Sequence, residues 1–298
     1  MKISTAAIKL FNHFGFETGL DILSQSGFEA VDFSIPHILP TDTHTTFDNA
    51  TLAEKAKQFI KLARNSKLEI FQSHAAFPLK IFDPDADAAL LDTAIRSVYT
   101  AAYLECPNLV FHPVLHPDFD NGNNAETAKL VNLEFFSALV PALKDTGVTV
   151  CIENMFRGEN YKPKIYNACS GAEELADLVD SLNQAHGTHF DACLDTGHAM
   201  VVGQDPAAML RTLGSRTRVL HIHDNDGILD QHWLPGIGVI DWDDVLKAIG
   251  EIGFTGVFNT EVSTVLAKCT QEGTYDVDNA IKVCSELYQH CRKIADRI

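Results

Sequence analysis

Between residues 220 and 238 the chain reads LHIHDNDGILDQHWLPGIG, which gathers His221, His223 and His232 with Asp224, Asp226 and Asp230 inside thirteen positions. Imidazoles alternating with apolar residues, followed by an Asp-x-His pair, are not the composition of an ordinary solvated loop. Carboxylate plus imidazole is the donor set that holds a divalent cation. The same residue types close apolar runs elsewhere: His74 ends FQSH, His112 ends LVFH, Glu153 ends CIE, Asp195 ends CLD, His221 or His223 ends VLHIH, and Glu261 ends NTE. A charged group at the inner end of a buried strand is costly without a partner, and one cation would serve several at once. Glu153, Asp195, His221 and Glu261 form one consistent set, three carboxylates with one imidazole, suited to Mn²⁺, Mg²⁺, Co²⁺ or Zn²⁺. Because His221 and His223 share a strand face by period-two alternation, either fills the imidazole place on spacing alone.

The elements that must carry these groups alternate in type. Strands are expected near 2–7, 30–35, 69–73, 109–112, 149–153, 190–195, 218–223 and 256–261, and helices near 17–26, 51–66, 85–104, 125–145, 172–184, 206–214, 242–252 and 276–296. Ser170 with Glu173 reads as a capping box, and Asp205-Pro206 as a cap followed by proline in the first turn. Eight strand-helix repeats, with no G-x-G-x-x-G turn after the first strand, predict an α/β protein: one (β/α)8 TIM barrel over residues 1–298, with its site at the C-terminal strand ends.

Composition restricts the partners. The formal charge is −17, from 23 basic and 40 acidic residues, and the segments HAAFPLKIFDPDAD and PVLHPDFDNGNN after the third and fourth strands are nearly all neutral or acidic. Such a surface repels a phosphate backbone, so no nucleic-acid partner is expected. Seven cysteines, an odd number without C-x-x-C spacing, suit reduced thiols. The start MKISTAAIKLFNHF is too interrupted for a signal peptide, and no apolar run is of membrane-spanning length, so the expectation is a cytoplasmic protein with no membrane partner. A small sugar or polyol needs only a closed, partly apolar pocket, which Phe14, Phe77, Phe156 and Trp233 would help form. Homo-oligomerisation is left open.

The motifs CIEN, CLDTGH, HIHDN followed by H-x-x-P-G-x-G-x-I-D-W, and the terminal T-E resemble the xylose-isomerase-like barrel superfamily of sugar isomerases and epimerases, which also contains endonuclease IV. The likeness covers nearly the whole chain. In that superfamily the metal-binding histidine precedes an acidic residue by three positions, as His221 precedes Asp224, so the resemblance assigns His221 as ligand and His223 to a place behind it or at the substrate. It further implies that Glu153 and Glu261 are both ligands and acid/base groups. Ketose 3-epimerases of this type also carry a glutamate and a histidine matched here by Glu159 and His198, and Arg157 fits their pattern; Gly227 stands where they carry an arginine. The endonuclease IV branch uses three zinc ions, and His74, His112, Glu153, Asp195, His198, His221, Asp230, His232 and Glu261 match its ligands in order. On the alternative reading His74 and His112 bind sugar hydroxyls and Asp230-x-His232 anchors a loop that sets Trp233 near substrate.

The chemistry expected is that of a divalent-metal sugar isomerase or epimerase acting through an enediolate, with Glu153 and Glu261 moving protons from separate sides of the substrate. One tightly held ion is expected, with further ions open at His74, His112, His198, Asp230 and His232. A three-zinc phosphodiesterase, a cyclic-polyol dehydratase using His198 as acid, and a silent sugar-binding barrel are the alternatives.

Overall fold

The computed structural model describes residues 1–39, 47–81, 84–115, 125–157, 165–166, 168–270 and 276–298. In chain order the elements are β1 (Ile3–Thr5), α1 (Ile8–Gln25), β2 (Ala30–Ser34), α2 (Asn49–Asn65), β3 (Glu69–His74), α3 (Pro84–Tyr103), β4 (Asn108–Phe111), α4 (Ala125–Thr146), β5 (Thr149–Glu153), β6 (Phe156–Arg157), β7 (Ile165–Tyr166), α5 (Ala172–His186), β8 (Phe190–Asp195), α6 (Thr196–Val201), α7 (Pro206–Leu213), β9 (Thr217–His221), α8 (Trp242–Glu251), β10 (Phe258–Thr260), α9 (Ser263–Leu266) and α10 (Val277–Ala295). Six strands pair in parallel in the order β2-β3-β4-β5-β8-β9, and β1 pairs with β10. Isolated parallel bridges, Ala6 to Asp32 and Ile222 to Thr260, join these two sheets at both edges. The ring is thereby closed, the (β/α)8 barrel expected from the repeats.

The strand pleat sorts side chains to two sides. Phe33, Phe111, Phe190 and Phe258 point out beneath the helices and are at most 1% exposed, each burial contributing roughly 1.5–3 kcal/mol. Val110, Cys151, Cys193 and Val219 point in and pack together, with Phe71 against them. Each of these four stands two positions before a candidate ligand: His112, Glu153, Asp195 and His221. The apolar plug is therefore the floor on which the polar residues stand.

Helix boundaries follow their caps. Asp205 accepts from Ala207 N ahead of Pro206, as expected, and Asp241 accepts from Asp243 N and Asp244 N at the start of α8. The Ser170–Glu173 box does not form. The cap of α5 is Gly171, so the helix begins one residue later than the box requires and Glu174 occupies its third position. Glu174 accepts from backbone N–H groups of residues 169–171, while the Ser170 hydroxyl donates to Met155 O. The expected helix 17–26 is only the second half of α1, whose first half precedes a break at Gly15, where φ is 75°. Short β6 and β7 pair antiparallel and are not among the expected strands, being too brief to show periodicity. All seven cysteines are free and buried. Among the described residues no helix is long and apolar enough to cross a membrane.

Candidate metal centre

Glu153 ends β5 at 1% exposure, and four imidazoles surround its carboxylate. Oε2 lies 3.3 Å from His74 Nε2 and 3.3 Å from His112 Nε2; Oε1 lies 3.1 Å from His198 Nδ1 and 3.3 Å from His221 Nδ1. Burial by itself would push this carboxyl up, but His221, His112 and His198 outweigh it and hold the group well below the usual carboxylate range. His221 Nδ1 also lies 3.4 Å from Glu261 Oε1. Three of the four residues in the expected set thus meet at one imidazole nitrogen. They converge because His221, on β9, stands between β5 and β10 around the ring, so both glutamates reach it from either side.

Asp195, the fourth, faces a neighbouring group. As the cap of α6 its carboxylate accepts from His198 N at 2.6 Å, and it lies 3.0 Å from His223 Nε2. Asp230 continues the cluster, with Oδ2 3.0 Å from His232 Nε2 and 3.7 Å from His198 Nε2, and Oδ1 3.6 Å from His223 Nε2. Burial opposes protonation of His198 and His221, yet Asp195, Asp230 and Glu153 raise His198, and Cys193 with Glu261 and Glu153 raises His221, well above the ordinary imidazole value. His232 is raised to about 9, burial being outweighed by Asp230 and Glu261.

The donor chemistry fits a divalent cation. His74 with His112 and Glu153, Asp195 with His198 and His223, and His223 with Asp230 and His232 each bring ligand atoms within 4.8 Å of one another. Both ring nitrogens of His221, His223 Nδ1 and Asp230 Oδ1 are buried without a hydrogen-bond partner. A buried nitrogen between two carboxylate oxygens requires a positive charge there, a proton or a metal ion.

Local sequence fixes these positions. Asn154 Nδ2 donates to Asp195 O at 2.9 Å while Asn154 Oδ1 accepts from Asp195 N at 2.7 Å, tying the end of β5 to that of β8. Thr196 Oγ1 accepts from His223 N and donates to His223 O. At Gly197 a Cβ would come within 1.9 Å of His223 Cε1, so the DTGH motif needs glycine for the ring to fit. Gly197→Ala is expected to destabilise the fold by about 1–3 kcal/mol through overpacking, read as a lower unfolding midpoint. An unchanged midpoint would show that His223 moves freely. Asp224, three residues after His221, is fully buried and is not turned toward the cluster: Oδ2 accepts from Gly236 N and Trp242 Nε1, and its backbone pairs with Trp233. That pairing folds Asp230 and His232 back over the site, where His232 Nδ1 donates to Glu261 O at 2.6 Å.

A cavity of about 370 Å³ opens onto the cluster, with His74, His112, Glu153, His198, Asp230 and Glu261 as its polar wall and Phe77 and Phe156 among its apolar residues. His223, Trp233 and Phe14 are not in its wall. His223 is fully buried beside Asp195, and Trp233 is half-buried and pairs through its backbone with Asp224, while His232, at φ 50°, lines the cavity. Arg157 lies on β6, and Glu159 lies outside the described residues. Two further residues belong to this region and are absent from the expected set. Lys9 lines the cavity from the start of α1, and Asp32, buried on β2, places Oδ2 3.5 Å from His221 Nε2. The signal for Asp32 is a carboxylate inside the apolar run AVDFS.

The family described as xylose isomerase-like TIM barrel matches residues 20–283. Curated relatives include the uncharacterized protein y4fM of Sinorhizobium fredii, 27% identical over 200 residues, 66% of this chain and 56% of the relative. Another is the uncharacterized protein MJ1311 of Methanocaldococcus jannaschii, 29% identical over 171 residues, 56% of this chain and 55% of the relative. The chain spans about half the length of these relatives. Solved structures with the same fold include a D-tagatose 3-epimerase-like protein, TM-score 0.72 at 21% identity, covering 99% of this chain and 98% of the other. A D-psicose 3-epimerase with D-tagatose from Clostridium cellulolyticum H10 gives TM-score 0.70 at 16% identity over 99% of both chains. A zinc-binding IolI protein gives 0.68 at 17% identity over 99% and 98%. With strand order, closure and the profile over residues 20–283 in agreement, the chain belongs to the xylose isomerase-like TIM barrel family.

Proposed function

We propose that this protein is a divalent-cation-dependent epimerase or isomerase of a small sugar or polyol, moving a proton at the carbon beside a carbonyl. The observation that carries the reading is the convergence of Glu153 and Glu261 on His221 Nδ1, at 3.3 and 3.4 Å, at the wall of a small-molecule cavity. Glu153, His221 and Glu261, with Asp195 beside them, would hold the cation, which when bound supplies polarisation of the carbonyl oxygen and so eases loss of the neighbouring proton. Glu153 is kept ionised by its imidazoles, the state a general base needs. Glu261, with a side chain 18% exposed against 1% for Glu153, is the more open to substrate. Removal by one carboxylate and return by the other inverts a carbon; return by the same carboxylate to the adjacent carbon interconverts aldose and ketose. His74, His112 and His198 line the same cavity and present donors to hydroxyl groups. The sugar epimerases that share this fold support the same class of substrate.

The test is incubation of the manganese- or cobalt-loaded protein with ketohexoses, ketopentoses and cyclic polyol ketones in deuterium oxide. Solvent deuterium at the carbon that changes configuration or oxidation level is expected, and loss of water from a cyclic polyol would mark the dehydratase variant. A folded, loaded protein that exchanges none of them removes the reading. A second reading is favoured by the groups at His74, His112 and Glu153 and around Asp230: a phosphodiesterase with several cations. It predicts about three zinc ions per chain, falling to about two in His232→Ala, hydrolysis of bis(p-nitrophenyl) phosphate, and salt-sensitive binding of abasic duplex DNA. The charge of −17 opposes such binding.

A further inference from the structure

Asp32 is 3% exposed on β2. It sits where the pairing of β2 with β3 slips, for Val31 pairs with Ile70 but Asp32 with Gln72, so that Phe71 is passed over. Such irregularities re-aim side chains and occur beside sites. Asp32 faces inward by the alternation of β2, between the outward Val31 and Phe33. Because the residue passed over belongs to β3, the slip brings Gln72 to face it, below the candidate ligands where Val110, Cys151, Cys193 and Val219 make one side apolar. Gln72 Nε2 and Asn259 Nδ2, fully buried like their residues, each donate to Asp32 Oδ2 at 3.0 Å. The other ends of these two amides, Gln72 Oε1 and Asn259 Oδ1, have no partner. Two neutral side chains are thus committed to one oxygen without bringing any charge to offset that of the carboxylate.

The compensating charge has one route. His221 Nε2 lies 3.5 Å from the same oxygen, and among the described residues Asp32 is the only acidic group within 4.0 Å of that nitrogen. The opposite nitrogen, Nδ1, faces Glu153 Oε1 and Glu261 Oε1. We propose that Asp32 is the positioning residue of His221: its charge, at ion-pair distance from Nε2, favours the proton on that nitrogen, fixes that tautomer, and thereby leaves the Nδ1 lone pair directed between Glu153 and Glu261. This role rests on the cation reading given under Proposed function. A carboxylate behind a metal-binding imidazole orients the ring and raises its basicity, and its loss weakens metal binding 10–100-fold in typical cases. Asp32 also ties β2 to β3 and β10 through one oxygen, the same oxygen that faces His221 on β9.

Cobalt binding by calorimetry to wild-type, Asp32→Asn and Asp32→Glu protein tests this, alongside unfolding midpoints of the metal-free forms. About 10–100-fold weaker Co²⁺ binding in Asp32→Asn, with a metal-free midpoint close to wild type and partial recovery in Asp32→Glu, is the expected result. Equal affinities in wild type and Asp32→Asn would overturn the role while leaving the cation reading intact; a wild type that binds no divalent ion would overturn both. Where Asp32→Asn fails to fold, the zinc-loaded wild type decides. Long-range ¹⁵N correlations of the His221 ring should show a protonated Nε2 and a metal-bound Nδ1, and the reverse assignment would refute the proposal.

Discussion

Glu153→Gln is expected to lower turnover on the accepted sugar by at least about a thousandfold, within the range that general acid–base groups contribute, and to weaken cation binding by about a hundredfold, at the upper end of ligand-shell effects. The substitution keeps the shape and removes the charge. Glu153 is the residue on which the whole cluster is centred: His74, His112, His198 and His221 all lie within 3.3 Å of its oxygens. An amide offers those four nitrogens one acceptor and no charge, so the raised protonation of His198 and His221 loses one of its causes. The same change removes a base and a ligand together, which is why its effect should exceed that of any variant on the cavity's apolar side. Metal content, turnover and the far-ultraviolet spectrum measured on one preparation separate these losses from misfolding. Retention of more than about a tenth of the activity, with full metal content, would mean that Glu153 is neither the base nor a ligand.

Much of this arrangement is legible in the sequence, because barrel strands repeat with period two and a charged residue that closes an apolar run must meet a partner at the mouth of the barrel. His74, His112, Glu153, His221 and Glu261 are legible in that way and do gather. What the pattern does not carry is local geometry. Asp195 ends β8 as expected, but it also caps α6 through His198 N, and that bond turns its carboxylate toward His223 instead of His221. Asp32 stands in the middle of its strand and does not close an apolar run, so a reading of strand ends passes over it, and the slip in β3 that brings Gln72 opposite it leaves no compositional trace. Trp233 follows His232 and so reads as a neighbour of substrate, yet His232, at φ 50°, lines the cavity while Trp233, bridged to Asp224, is not in its wall. In each instance the residue type is plain from the sequence, while its surroundings are set by backbone geometry and hydrogen bonds that the residue pattern does not carry.

Stripping the cation is expected to lower the unfolding midpoint by about 5–10 °C at neutral pH. A ligand present at about a hundred times its Kd stabilises by about 2.7 kcal/mol, and a domain of roughly this size shifts by about 2–4 °C per kcal/mol. The dependence on pH carries the stronger test. In the metal-free chain His232 is raised to about 9, and His198 and His221 are raised well above their ordinary value, because the carboxylates, and for His221 Cys193 ahead of them, outweigh burial. A histidine whose folded pKa exceeds its unfolded one contributes stability that is complete below the unfolded value and is lost as pH climbs through the folded value. The metal-free protein should therefore weaken between about pH 6.5, the unperturbed imidazole value, and about 9, the value set by His232. Metal binding runs the other way, since a bound ion needs neutral imidazole and displaces protons, so affinity rises over the same interval. The midpoints of loaded and stripped protein should lie closest near pH 6 and separate steadily toward pH 9. Parallel curves, or a stripped protein that gains stability as the histidines deprotonate, would show that the cluster's carboxylates are balanced by something other than these protons, and that proton and cation do not exchange for one another at this site.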